Sequence, residues 1–182
     1  NVQLPQALAH ACAANGLRFI HLSTDYVFDG TAGPYREDDE PSTPVNWYGQ
    51  TKLEGERAVQ AANADAVIVR TSMPFGEAHR RKRDIVRLVR SRLADGQRFG
   101  GAVDQCVTPT WLDDIAEGLA IIATTSDSGV YHLAGATILS PFDAALIVAR
   151  TFGLDERLIH PVTSAMLMQS ARAPRPTNTA LV

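Results

Sequence analysis

Short apolar runs alternate along this chain with segments whose apolar residues recur at helical spacing. The first helical segment leads to Gly16, a residue that favours helix termination, so we predict a helix that ends near Asn15. The next segment, Leu17 to Leu22, is almost continuously apolar and leads into Ser23. Such a run is typical of a strand buried on both faces of a parallel sheet, and we predict that it ends at Ser23.

The alternation continues beyond a turn-rich loop from Asp29 to Asn46. The same reasoning predicts two more strands, at 66–71 and 130–133, and four more helices, at 46–62, 84–94, 111–123 and 141–152. A tail that begins at Ala171 is predicted to be extended and packed on the surface. Alternating strands and helices of these lengths indicate an α/β fold with a mainly parallel sheet.

The composition indicates an ordinary globular protein, because 45% of the 182 residues are hydrophobic, 20% are charged and the formal net charge is −3. This charge implies no nucleic-acid partner. Cys12 and Cys106 lack the spacing of a metal site, so we expect two reduced thiols. The chain has neither an apolar run of roughly 18 residues nor the residue order of a signal peptide, so we expect a cytoplasmic protein without a membrane partner.

Polar residues follow the first two predicted strands directly, where the ligands of a doubly wound sheet bind. The first strand is followed by Thr24, Asp25 and Tyr26. The second strand is followed by Ser72 and Met73. These residues are therefore the first candidates for a functional site.

Tyr48 and Lys52 are four residues apart near the beginning of the predicted helix at 46–62, so their side chains share one helix face. A neighbouring ammonium favours the ionised form of a phenol, which makes Tyr48 a candidate acid or base. A hydroxyl from Thr24 would bind the same substrate oxygen and stabilise the developing charge. The tyrosine–lysine spacing alone also fits a solvated helix face, but its occurrence after a strand ending in Ser-Thr is more specific.

The segment from His21 to Val59 contains STDYVFDG and, downstream, WYGQTK followed by GE. In these residues the chain resembles the dTDP-4-dehydrorhamnose reductase family of extended short-chain dehydrogenases/reductases. Further similar segments are VIVRTS at 67–72, YHLAG at 131–135 and RPTNTAL at 175–181, so the likeness covers nearly the whole chain. The resemblance implies a Rossmann-like fold, NADPH or NADH as cofactor, and reduction of the C4 ketone of dTDP-4-dehydro-L-rhamnose to dTDP-L-rhamnose.

The resemblance also implies roles for individual residues. Thr24 would hydrogen-bond the ketone oxygen, Tyr48 would supply the proton, and Lys52 would hold the nicotinamide ribose and assist the tyrosine. The residues expected at the cofactor are Leu22, Ser23, Tyr48, Lys52, Ser72 and Met73. The residues expected at the nucleotide-diphosphate-sugar substrate are Thr24, Asp25, Tyr26, Phe28 and Met73.

The Gly-rich turn that cradles the cofactor pyrophosphate in this family does not occur in the sequence. We therefore expect an N-terminally truncated piece that lacks roughly 80–100 residues, judged by the size of βαβ units, and that is inactive alone. Residues 1–75 would form the C-terminal part of a doubly wound, NAD(P)-binding Rossmann domain with the tyrosine–lysine helix. Residues 76–182 would be a mainly substrate-binding α/β region interleaved with returning Rossmann elements, and a homodimer is one expected assembly.

Two further features depart from the family. Met73 lies where the family usually has a tryptophan against the sugar ring, which keeps open another nucleotide-sugar epimerase, dehydratase or reductase. A non-catalytic subunit is a separate alternative, because the regulatory subunit of methionine adenosyltransferase resembles these reductases. The basic run from His79 to Arg83 is interpreted either as a solvated loop or as a contact with the substrate diphosphate.

Several other residues are interpreted structurally rather than functionally. His21 and His132 are expected to be packed core histidines, and Trp111 is expected to be a core residue at the beginning of a helix. The acidic run from Glu37 to Glu40 lies in a loop that contains proline, and we expect it to be solvated. No metal is therefore assigned.

Overall fold

The computed structural model describes residues 1–76, 84–168 and 173–182. The basic run from His79 to Arg83 lies outside these residues, so both interpretations of it stay predictions.

Helices and strands alternate along the chain. The first half contains α1 (Gln3–Ala14), β1 (Ile20–Thr24), a 3-10 turn (Asp25–Val27), α2 (Trp47–Ala62), β2 (Val67–Thr71) and β3 (Pro74–Phe75). The second half contains α3 (Ile85–Ala94), β4 (Phe99–Ala102), β5 (Thr110–Trp111), α4 (Leu112–Thr124), β6 (Gly129–Leu133), α5 (Pro141–Thr151), a second 3-10 turn (Glu156–Leu158), β7 (Ile159–Val162) and α6 (Ser164–Met168).

Three parallel strands form the main sheet in the order β1–β2–β6. Thr24 at the end of β1 lies opposite Thr71 of β2, and Thr71 lies opposite Leu133 of β6. The carboxyl ends of the three strands therefore meet at one edge of the sheet, which is where polar residues after the strands are brought together.

Helices cover both faces of this sheet because successive strand residues point to opposite sides. On one face, Ile68 packs with Val59 of α2 and Ala9 of α1. On the other face, Val67 packs with Ile122 of α4. The predicted α/β fold with a doubly wound, parallel sheet is confirmed.

Residues 84–168 also contain a second hydrophobic core. Val89 and Leu93 of α3 pack there against Val148 of α5, with Phe99 of β4 and Ile159 of β7. Strands β4 and β7 pair in parallel beneath these helices. This smaller region lies beside the main sheet and carries part of the candidate site.

All five predicted helices occur, with bounds within about two residues of those expected from capping signals. The first strand was predicted to run from Leu17 to Ser23 but occupies Ile20–Thr24, so it begins three residues later and ends one residue later. The sequence pattern does not reveal β3, β4, β5 and β7, which have two to four residues each. Such short strands provide too few positions for a periodic signal.

The prediction that the tail packs on the surface is wrong. Thr179, Ala180 and Leu181 are only 0–2% exposed. The Tyr35 N–H donates to the Ala180 carbonyl at 2.8 Å, and the Cys106 N–H donates to the Thr177 carbonyl at 2.7 Å. The tail is thus inserted between two loops that are distant in sequence, and its carbonyls accept hydrogen bonds from both loops.

Leu181→Ala is expected to lower the free energy of unfolding by about 3 kcal/mol, because it removes a fully buried side chain and leaves a cavity. Leu181 packs with Val27, Phe28 and Leu53 in the core beneath the candidate site. Urea denaturation measures the loss. The matched control is Leu4→Ala, since Leu4 is 69% exposed and its truncation should change little. Equal effects of the two substitutions would contradict the inserted tail.

None of the described helices combines the length and apolar character that a membrane crossing requires. Cys12 and Cys106 are both free thiols, as expected.

Candidate active site

The polar end of β1 continues directly into the first 3-10 turn. Thr24 is its N-cap: the Thr24 hydroxyl accepts the Tyr26 N–H at 3.3 Å and lies 3.0 Å from the Asp25 carboxylate oxygen Oδ1. Thr24 is 7% exposed. This capping geometry turns the chain sharply at the strand end and holds the threonine hydroxyl there.

Helix α2 approaches this turn closely. Asn46 caps the helix by accepting the Gly49 N–H at 2.9 Å. A Cβ on Gly49 would overlap the Tyr26 carbonyl, so glycine is required where the helix meets the turn. As a result the Tyr48 ring meets the Tyr26 ring edge-on, with centroids 5.9 Å apart.

Tyr48 and Lys52 extend from this helix towards the end of β1. Tyr48 is 51% exposed, whereas Lys52 is half-buried. The Lys52 ammonium donates to the Leu22 carbonyl at 2.6 Å. Burial lowers the pKa of Lys52, and the nearby Glu56 carboxylate opposes this shift. The structure therefore brings the side chains of Thr24, Tyr48 and Lys52 to the same end of one strand.

Three other predicted site residues are buried, although one of them, Asp25, also lines a cavity of about 190 Å³. Asp25, expected at the substrate, is 3% exposed and its carboxylate is bound by hydroxyls of the protein itself. Phe28, also expected at the substrate, is 1% exposed and stacks on Tyr35 with centroids 3.9 Å apart. Ser72, expected at the cofactor, is fully buried and donates to Asp25 at 2.8 Å. Their side chains thus pack within the protein, and their predicted contacts with substrate or cofactor stay predictions.

The other four predicted site residues lie on β1 or beside a cavity at its end. Leu22 is 48% exposed on β1, and Ser23 is 7% exposed with a hydroxyl that has no hydrogen-bond partner among the described residues. Tyr26 lines a cavity of about 190 Å³ together with Met73. Met73 adopts a left-handed backbone with φ of 41°, which is uncommon for a residue with a side chain.

Sequence reasoning missed an arginine-lined cavity next to this site. It has a volume of about 540 Å³ and shares Met73, Gln105 and Arg175 with the smaller cavity. Arg92 and Arg98 also line it. For Arg175, the available signal was its place in the RPTNTAL segment. Arg92 and Arg98 gave no such signal, since they belong to an ordinary amphipathic helix and to the loop after it.

A buried ion pair under the site was also missed. Arg70 of β2 donates from Nε and Nη2 to the two carboxylate oxygens of Glu56 on α2, at 3.2 and 2.8 Å. Both side chains are less than 5% exposed. The Arg70 guanidinium also lies 5.0 Å from the centre of the Phe28 ring. This pair fixes α2, and with it Tyr48 and Lys52, on the sheet.

The structural interpretations of the histidines hold. His21 is 8% exposed and His132 packs edge-on against Phe28. Trp111, expected in the core, is instead 36% exposed at the N-cap of α4, where its ring meets the Phe75 ring edge-on. Within residues 1–76, 84–168 and 173–182, no group of three or more His, Cys, Asp or Glu side chains could hold a metal ion.

Burial lowers the pKa of His21 to about 4, and the Lys52 ammonium adds to this shift while Glu56 opposes it. Between pH 6.5 and about 4 the unfolded chain therefore binds more protons than the folded chain, and stability falls as the pH falls through this window. We expect the stability advantage of wild type over His21→Gln to shrink by about 3 kcal/mol between pH 7 and pH 4. Urea denaturation at several pH values measures this, with the exposed His10→Gln as control; a constant difference would contradict it.

A doubly wound parallel sheet with a threonine, a tyrosine and a lysine at the carboxyl end of one strand defines the extended short-chain dehydrogenase/reductase type. The chain matches the RmlD substrate binding domain over residues 1–182 and belongs to that family.

Relatives and solved structures agree with this family. The chain is 38% identical over 187 residues to a dTDP-4-dehydrorhamnose reductase of Mycobacterium tuberculosis, covering 100% of this chain and 60% of the relative. It is 32% identical to methionine adenosyltransferase 2 subunit beta of Xenopus laevis, covering 98% and 54%. A structure of dTDP-4-dehydrorhamnose reductase from Bacillus anthracis in complex with NADP superposes with a TM-score of 0.91 at 26% identity, covering 100% and 63%. The chain thus spans about 60% of the length of these reductases.

Proposed function

We propose that the protein containing this chain reduces the C4 ketone of dTDP-4-dehydro-L-rhamnose to dTDP-L-rhamnose with NADPH or NADH. The observation that carries the proposal is the meeting of Thr24, Tyr48 and Lys52 at the end of β1, beside a cavity lined by arginines. The similarity to dTDP-4-dehydrorhamnose reductases supports the same activity. A cytoplasmic location and assembly into a homodimer stay predictions from the sequence.

Each of the three side chains has a role that fits its position. Tyr48 is half-exposed at the open side of the turn, where its hydroxyl can deliver a proton to the developing alkoxide. The Lys52 ammonium donates one hydrogen bond to the Leu22 carbonyl, which fixes its position at β1. Two of its three protons remain for other acceptors. The Thr24 hydroxyl hydrogen-bonds the ketone oxygen.

The cavity of about 540 Å³ suits a nucleotide sugar. Arg92, Arg98 and Arg175 line it, and guanidinium groups bind phosphate oxygens through paired hydrogen bonds. Met73 and Arg175 are shared with the smaller cavity that Tyr26 lines, and the Tyr26 ring contacts Tyr48. A substrate whose diphosphate lies among the arginines would thus present its sugar towards the tyrosines.

The nicotinamide side of a cofactor site fits the residues of this chain. Leu22 is exposed on the edge strand β1, and the partly desolvated Lys52 ammonium lies next to it. Lys52 and the backbone at Leu22 would hold the nicotinamide ribose, and NAD(P)H, when bound, supplies the hydride for C4. The Gly-rich phosphate cradle does not occur in this sequence, so we assign no pyrophosphate contacts.

The test is NADPH consumption by the full-length protein. With dTDP-4-dehydro-L-rhamnose present, we expect NADPH oxidation in proportion to the dTDP-L-rhamnose formed, followed by absorbance and by chromatography of the sugar nucleotide. The matched control substrate is dTDP-glucose, which has a hydroxyl instead of the C4 ketone and should leave NADPH unchanged. Absence of turnover of the keto sugar with both NADPH and NADH would overturn the proposal.

A second candidate function is a non-catalytic regulatory subunit, and it is favoured by the 32–33% identity to four methionine adenosyltransferase 2 beta subunits. Those matches span 94–98% of this chain. In that case the protein would bind a partner enzyme and would not oxidise NADPH. The same turnover experiment therefore distinguishes the two functions.

A further inference from the structure

The carboxyl group of Asp25 is surrounded by hydroxyls and not by cations. Thr24 Oγ1 lies 3.0 Å from its Oδ1, while Ser72 Oγ and Thr179 Oγ1 lie 2.8 and 2.7 Å from its Oδ2. No ion pair to Asp25 occurs in the described part of the chain. The carboxyl therefore joins the ends of β1 and β2 to the inserted tail at a point that is 3% exposed.

A hydroxyl has one proton, and this limits what Thr24 can do. An ionised carboxylate only accepts hydrogen bonds, so beside such a group the Thr24 proton must point at Asp25. A ketone oxygen is also only an acceptor. With Asp25 ionised, the Thr24 hydroxyl would have no proton left for the substrate.

A protonated carboxyl removes this conflict. With the proton on Oδ1, Asp25 donates to Thr24 Oγ1, which already accepts the Tyr26 N–H. Both lone pairs of the Thr24 oxygen are then occupied, and its own proton is directed to the remaining position, away from Asp25. Ser72 and Thr179 continue to donate to Oδ2.

We propose that Asp25 is a positioning residue that holds a proton on its carboxyl and thereby directs the Thr24 hydroxyl proton towards the substrate ketone. This inference rests on the proposed function, in which Thr24 binds the ketone oxygen. Asp25 keeps its proton throughout the reaction, because its carboxyl hydrogen-bonds Thr24, Ser72 and Thr179. Its effect on catalysis passes entirely through the orientation of one hydroxyl.

The surroundings of the carboxyl agree with a bound proton. Burial raises the pKa of Asp25, against the opposing effect of the hydrogen bonds from the three hydroxyls. The ionisable groups on the elements packed around it include Tyr26 and Arg175, which line the smaller cavity with Asp25, and Tyr48 and Lys52 on α2. His21 of β1 and the Arg70–Glu56 pair of β2 and α2 belong to the same elements. None of these side chains forms a hydrogen bond or ion pair with Asp25 in the described structure, and the Lys52 ammonium is directed to the Leu22 carbonyl.

Two variants of the full-length protein test the proposal through the pH profile of kcat. In Asp25→Asn, the amide N–H replaces the carboxyl proton, so kcat at neutral pH should stay within about threefold of wild type. Wild-type kcat should decline as Asp25 ionises with rising pH, and this component of the decline should be missing in Asp25→Asn. Thr179→Val keeps the carboxyl but removes one donor to Oδ2, so the same decline should move to higher pH.

The infrared absorption of a protonated carboxyl gives a second readout that needs no substrate. At neutral pH we expect a carboxylic-acid C=O band in wild type and no such band in Asp25→Asn. In Thr179→Val the band should persist to higher pH than in wild type. Absence of this band in wild type overturns the proposal, as does a folded Asp25→Asn protein whose kcat falls more than about tenfold. If wild type shows the band but no turnover, the proposed reductase activity fails while the protonated Asp25 stands. If Asp25→Asn does not fold, the titration of the band in Thr179→Val decides.

Discussion

Tyr48→Phe is expected to lower kcat for NADPH oxidation by about 10³-fold, because it removes the proton donor to the sugar alkoxide. The phenylalanine ring would still meet Tyr26 edge-on, since that contact involves the ring and not the hydroxyl. The Michaelis constant for the keto sugar should therefore change little. Steady-state kinetics of the full-length protein measure both quantities.

The matched control for this substitution is Tyr131→Phe. Tyr131 lies in the middle of β6 and packs with Val67, Val69 and Ile122 on the face covered by α4. Its hydroxyl is remote from the end of β1, so its removal should leave kcat unchanged. If Tyr48→Phe kept more than about a tenth of wild-type activity, the assignment of Tyr48 as the acid would be wrong.

The largest expected effect on stability comes from Glu56→Gln. The substitution leaves the Arg70 guanidinium buried without its counter-ion, and Arg70 Nη1 already has no hydrogen-bond partner in the described structure. Breaking such a pair on one side should lower the free energy of unfolding by about 3–5 kcal/mol. For a chain of this size, the unfolding midpoint should fall by roughly 10 °C.

Two further variants isolate the charge effect. Adding Arg70→Met to Glu56→Gln removes both charges, so the double variant should recover much of the lost stability. Asp38→Asn breaks the exposed pair with Arg36, which is separated by 3.7 Å in solvent, and should leave the midpoint unchanged. If the double variant were less stable than Glu56→Gln, charge burial would not explain the loss.

The parts of the site that lie on regular elements were predictable from the sequence. Tyr48 and Lys52 are related by the helical period, and Thr24 follows an apolar run that can only be a strand in this context. These local rules predict whether a segment is a helix or a strand, and near which residue the strand ends. They do not specify which polar side chain at that end faces outward.

Asp25 and Phe28 show this limit most clearly. Both lie within four residues after Thr24, and the family resemblance implied substrate contacts for them. The 3-10 turn instead directs them inward, where partners from more than 40 residues away bind or cover them. Burial at this point depends on Thr179 and Leu181, and no local pattern connects those residues to residue 25.

The arginine cavity was hidden for a similar reason. Arg98 lies just before the short strand β4, and Arg175 lies in a segment without regular structure. Their convergence is created by tertiary packing of the smaller region against the main sheet, not by sequence spacing. The family resemblance implied a substrate class, but the residues that line this cavity became visible only in three dimensions.

The inserted tail has a consequence for biosynthesis. The hydroxyl of Thr179 reaches Asp25 across 154 positions of sequence, and that of Thr177 reaches Gly30 across 147. A ribosome makes these residues after every other element that they bridge, so a nascent chain stopped before them must leave the buried carboxyl without one of its three hydroxyls. Contacts between such distant positions also form slowly, because a long loop must close first. The carboxyl end of β1 should therefore be the last part of this region to mature, and only after translation has passed residue 181.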